Sequence, residues 1–121
     1  MSTRTFTLTE ARALLPEVQE RTARIVQTRA DLAELAAALR ADEESSLGGV
    51  AEAKALEAQL HEDIAWFTSA GLEVKGWAPV LVDFPSSLAD RPVLLCWLEG
   101  EQELGWYHRP ELGFAGRRRL T

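Results

Sequence analysis

Apolar residues recur at Ala11, Leu14, Leu15, Val18, Ile25, Leu32, Leu35 and Leu39. Val18, Ile25, Leu32 and Leu39 are spaced by seven, which keeps them on one stripe of a helix. Phe6-Thr7-Leu8-Thr9-Glu10 reads as the start of that helix: Thr7 is a good N-cap, and Glu10 follows three residues later, as a capping box requires. Pro16 lies inside the pattern, removes one backbone hydrogen bond and crowds the preceding turn. A bend, or a break with Leu15 ending a short first helix, is therefore expected near it. The helix should end between Arg40 and Glu44. Asp42 to Gly49 is polar, then flexible, and suits a hairpin tip. A second helical pattern places Ala53, Leu56, Leu60, Ile64 and Phe67 on one face, with Gly71 as its stop.

After Gly71 the period changes. Leu72 to Lys75 reads as the start of a first strand, and Val80-Leu81-Val82-Asp83-Phe84 as a second, ended by Pro85. Val93 to Leu98 reads as a central strand, Glu99 to Gln102 as a turn, and Glu103 to His108 as the returning strand. Residues 109–121 look irregular. The expected class is α+β: a long antiparallel helical hairpin (1–72), then a small antiparallel sheet of about three strands (73–121), in one domain. The stripe on the first helix is longer than these elements need. Self-association of the helices into a homo-oligomer would bury it.

Charge and composition narrow the function classes. The net charge is −6 and the pI about 4.9, so a general nucleic-acid partner is not expected. The N-terminus lacks the apolar stretch of a signal peptide, and no segment approaches the ~20 apolar residues of a membrane span. A cytoplasmic location without membrane attachment is the expectation. The single cysteine, Cys96, excludes an internal disulfide and reads as a small buried hydrophobe. Arg117-Arg118-Arg119 is the one basic cluster, read as a solvated tail or an anion contact.

No phosphate loop, dinucleotide fingerprint, paired C-x-x-C or zinc-protease motif is present. His61 sits beside apolar helix positions and reads as a boundary residue. His108 ends the last strand, on the same side as Trp106. Asp83 interrupts an apolar strand, where a charge is costly unless paired or wet. If Asp83 and His108 meet on one sheet face, a carboxylate and an imidazole form an acid–base pair or two metal ligands. A third ligand, Glu101 or Glu111, would have to join them. Arg117 follows Gly113-Phe114-Ala115-Gly116, a stretch able to fold back over the sheet.

Asp83-Phe84-Pro85, Leu95-Cys96-Trp97, Gly100-Glu101, Trp106-Tyr107-His108 and Gly113-Phe114-Ala115-Gly116-Arg117-Arg118 occur in that order. With Phe6 to Ala11 and Leu14-Leu15-Pro16, they resemble the bacterial family called domain of unknown function 2203. The resemblance implies a helical hairpin with a β-rich end and assigns no activity. The residue after the histidine, often acidic in that family, is Arg109 here; Glu111 is the candidate to replace it. Two readings follow. In one, a polar pocket of Asp83, Glu101, His108 and Arg117 binds a small anion or a divalent metal, with Asp83, His108 and Glu111 as candidate metal ligands. In the other, the hairpin is a structural or adaptor module that binds itself or a partner.

Overall fold

The computed structural model describes residues 4–120. Two helices, α1 (Leu8–Arg40) and α2 (Val50–Ser69), precede five strands: β1 (Glu73–Trp77), β2 (Val80–Leu88), β3 (Arg91–Leu98), β4 (Trp106–His108) and β5 (Arg118–Arg119). A short 3-10 turn, Phe114–Gly116, lies between the last two. The strands form one antiparallel sheet in sequence order. The class is α+β, with five strands where about three were expected. The described residues fall into two compact units: those up to Gln19 together with Phe67 onward, and Glu20–Trp66.

In the first unit, α1 begins with the expected capping box. The Glu10 N–H donates to Thr7 Oγ1 at 3.0 Å, and the Thr7 N–H donates to Glu10 Oε1 at 2.8 Å. The helix continues through Pro16 without ending at Leu15, so the expected break is absent. Ala11, Leu15 and Val18 are buried around it, and burial of this face offsets the one lost bond. Gly71 (φ 85°) terminates α2: its N–H donates to Thr68 and that of Leu72 to Phe67, the two bonds of a Schellman motif.

β2 also runs further than its proline suggested. The Pro85 carbonyl accepts from the Phe6 N–H at 2.7 Å. Carbonyl and nitrogen of a strand residue face the same side, so the missing N–H of Pro85 faces away from β3 and costs no β2–β3 bond. The β2–β3 hairpin turns at Ala89-Asp90, both with positive φ (50° and 63°), as a two-residue type I′ connection requires. β5 was missed altogether: the expected irregular tail returns, and Arg118 and Arg119 pair with Tyr107 and Trp106.

Both faces of the sheet are covered. Val80, Val82, Phe84, Val93, Leu95 and Trp97 alternate onto one buried face, where Phe84 meets Phe6 edge-on at 5.6 Å. The opposite face carries Asp83, Leu94, Cys96 and His108, buried as well. It is the face on which the chain after β4 folds back.

The second unit pairs the later part of α1 with the earlier part of α2. Ile25 and Leu35 are buried in it, with Thr22 and Thr28. The expected stripe holds only in part: Val18 (in the first unit) and Ile25 are buried, Leu32 is half-buried and Leu39 is exposed. Leu35, one helical turn from Leu32 and Leu39, takes the buried place. Asp63 is sealed inside this unit and accepts from Arg21 at 3.1 Å, Arg24 at 2.9 Å and Gln59 at 3.1 Å. The tip between the helices closes with Asp42 in a left-handed conformation (φ 56°). Its N–H and that of Glu43 cap the Leu39 and Ala38 carbonyls. No helix among the described residues is long and apolar enough to cross a membrane.

Candidate functional site

Antiparallel register assembles the site. Asp83 of β2 pairs with Cys96 of β3. His108 of β4 pairs with Leu94, two residues from Cys96 and on the same face. Three neighbouring strands thus each deliver one chemically active side chain to one spot. A carboxylate oxygen of Asp83, the Cys96 sulfur and a ring nitrogen of His108 lie within 4.8 Å of one another, and all three residues are buried.

The hydrogen bonds define the histidine. Its Nδ1 faces the Arg109 carbonyl at 2.9 Å. A carbonyl only accepts, so Nδ1 carries the proton. Nε2 then faces Asp83 Oδ2, 3.0 Å away, and whether it donates there depends on a second ring proton. Two acceptors at that distance need a proton or a cation between them. The other carboxylate oxygen, Oδ1, is buried with no hydrogen-bond partner. Burial pushes the Asp83 carboxyl above the usual carboxylate range; the His108 ring, the Cys96 thiol and Lys75 pull the other way. Burial, with the charge of Asp83 beside it, pushes the Cys96 thiol up to about 12. Cys96 is therefore no free nucleophile.

The remaining candidates lie elsewhere. Glu101 and Arg117 pair with each other through two bonds, at 2.9 and 2.8 Å. Glu101 Oε1 also accepts from the Leu98 N–H, and the Glu101 carbonyl from Trp97 Nε1. The Arg117 guanidinium lies over the Trp106 ring at 4.5 Å and the Phe114 ring at 4.8 Å. This pair fastens the returning chain to the turn after β3. Glu111 is exposed and pairs with Arg109 at 2.9 Å, away from the buried cluster. His61 is exposed on α2.

Cys96 is the donor that sequence reasoning passed over. Register would have exposed it, because Asp83 and Cys96 stand equally far from the Ala89-Asp90 turn. Lys75 was passed over too. It is the extra residue of a β-bulge between Val74 and Gly76 in β1. Bulges re-aim side chains, and Lys75 lines a cavity of about 410 Å³ beside the cluster. Asp83 and His108 form part of the wall, with Leu81, Leu94, Pro110 and Phe114.

No curated protein and no solved structure matches the chain. The family model described as "Uncharacterized conserved protein (DUF2203)" matches residues 4–120. The match takes in both helices, the sheet and every residue of the buried cluster, and the chain belongs to this family.

Proposed function

We propose that the chain binds one divalent transition-metal ion through Asp83 Oδ1 or Oδ2, Cys96 Sγ and His108 Nε2. The observation that carries this reading is the unpartnered Asp83 Oδ1, sealed beside a histidine ring nitrogen and a sulfur. An orphaned buried acceptor costs roughly 1–3 kcal/mol, which a cation would recover. The Nδ1–H bond to the Arg109 carbonyl is the outer contact that fixes a ligating histidine. One sulfur, one imidazole and one carboxylate suit zinc or cobalt better than magnesium or calcium, which take oxygen ligands. Three protein donors leave a fourth position open, as in catalytic rather than structural zinc sites. An anion site at Arg117 has less support, because both Glu101 oxygens already bond one of its terminal nitrogens and balance its charge.

Metal-stripped protein, dialysed against zinc and analysed for metal content, should retain one equivalent. His108→Ala and Cys96→Ser should retain almost none while keeping the wild-type circular dichroism. Wild-type protein that holds no zinc would overturn the reading.

A second reading rests on the helical unit. Val50 at its tip is 63% exposed, and Leu39 is exposed as well. Leu47, Ala55 and Leu56 line a shallow groove in the same unit. Self-association through this surface makes the chain a homo-oligomeric or adaptor module. Light scattering at high micromolar concentration should then report a dimer or larger, and Val50→Glu should return it to monomer. A wild-type monomer at that concentration overturns this second reading.

A further inference from the structure

The cavity beside the buried cluster has a definite chemical character. Asp83 and His108 stand in its wall, while Cys96 lies behind them in the central strand. A ligand entering through the cavity would meet Asp83 and His108 first, since Cys96 does not line it. The rest of the wall is apolar, with Leu81, Leu94, Pro110 and Phe114, apart from Gly113 and Lys75. Among the described residues, Lys75 is the one lysine or arginine in that wall. It is tethered by Glu73 at 2.7 Å, and an ammonium group keeps further donors for a second partner.

The charges select the ligand. A divalent ion held by one carboxylate, one thiolate and one neutral imidazole is electrically balanced. What remains facing the cavity is the ammonium of Lys75, whose charge Glu73 balances and whose other N–H donors can still meet a carboxylate. Among the described residues no arginine lines the cavity, so a phosphate dianion would lack the bidentate fork it normally finds. The apolar wall gives a hydrocarbon tail somewhere to go.

We infer that this cavity binds a small monocarboxylate with a short apolar tail. Its head group completes the metal's coordination and pairs with Lys75, and its tail lies against Leu94 and Phe114. This inference rests on the metal-site reading above and extends it to a ligand class.

Cobalt-loaded protein titrated with n-butyrate tests it. Cobalt bound through Cys96 gives a thiolate-to-metal charge-transfer band, and an added ligand at the open position shifts the visible bands. Butyrate should shift them saturably. Acetate, with two methylenes fewer, should bind about tenfold more weakly. Lys75→Met should weaken both carboxylates about tenfold without altering the butyrate-free spectrum. Phe114→Ala should narrow the gap between butyrate and acetate. Butylammonium should leave the bands unmoved.

A wild-type charge-transfer band that butyrate does not shift overturns the ligand and leaves the metal site standing. No charge-transfer band in the wild type removes the metal site and this ligand with it. Phosphate binding more tightly than butyrate overturns the monocarboxylate class. Unchanged butyrate affinity in Lys75→Met, with the protein folded, overturns the role of Lys75.

Discussion

Asp63 in the helical unit and Asp83 in the sheet unit are both sealed from solvent, at 0% and 1% relative exposure. Asp63 receives two arginines and a glutamine. Burial alone would push its carboxyl up, but the hydrogen bonds from Gln59, Arg24 and Arg21 outweigh it and hold the group below its ordinary value. Asp83 has His108 at hydrogen-bond distance on Oδ2 and no partner on Oδ1, and burial outweighs the pull of His108, the Cys96 thiol and Lys75. A buried carboxylate with its partners in place belongs to the scaffold. One left half-satisfied in a folded sheet is poised for something else to complete it.

The largest expected effect follows from that contrast. Asp63→Ala leaves two arginines without their acceptor and should cost about 2–3 kcal/mol in urea unfolding, less than a fully buried pair because Arg24 is partly exposed. Asp83→Asn in metal-free protein should change stability by less than about 1 kcal/mol, because the charge it removes was poorly compensated. Equal losses in the two variants would erase the distinction. Metal sharpens it next. Zinc at a hundredfold excess over its dissociation constant should stabilise the wild type by about 2.7 kcal/mol and leave Asp83→Asn unmoved. A similar gain in both would place the ion elsewhere.

An exposed polar contact sets the lower end of the scale. Thr7→Ala opens the capping box and should cost about 1 kcal/mol by thermal or urea unfolding, with metal retention unchanged. The smallest effect is acid sensitivity. Asp63 has a lowered carboxyl value in the folded chain, so the unfolded chain binds more protons and stability falls as pH drops. The contribution is complete above the unfolded carboxylate value of about 4 and is lost as pH falls through the folded one. Asp63→Asn should flatten this part of the stability profile below about pH 4. An unaltered slope would show that other carboxylates dominate it.

The helices were legible because their signals are local. Thr7 and Glu10 are three residues apart, and Gly71 ends α2 where the apolar face stops. Pro16 misled by the same locality: its cost is visible in sequence, whereas the burial of Ala11, Leu15 and Val18 around it is not. The Asp83–His108 approach could be anticipated from strand phase, since both residues alternate onto one face. Cys96 could not be told from a core residue, because Val93 to Trp97 is buried on both faces and alternation carries no contrast there. Ending β2 at Pro85 hid the Ala89-Asp90 turn, and with it the register that sets Cys96 opposite Asp83. Glu101 and Arg117 were noticed as polar residues beyond the needs of a core. Their pairing depends on β5, a strand of two residues that leaves almost no pattern.

That short strand has a bearing on how the chain behaves at high concentration. An open sheet invites other sheets to extend it along its free edges. Here one margin is β5, with two exposed arginines, and the other is β1, interrupted by a bulge and carrying Glu73 and Lys75. Two chains brought margin to margin would meet like charge on one side and an irregular hydrogen-bonding row on the other. The fold is thereby protected against fibrillar stacking through its sheet.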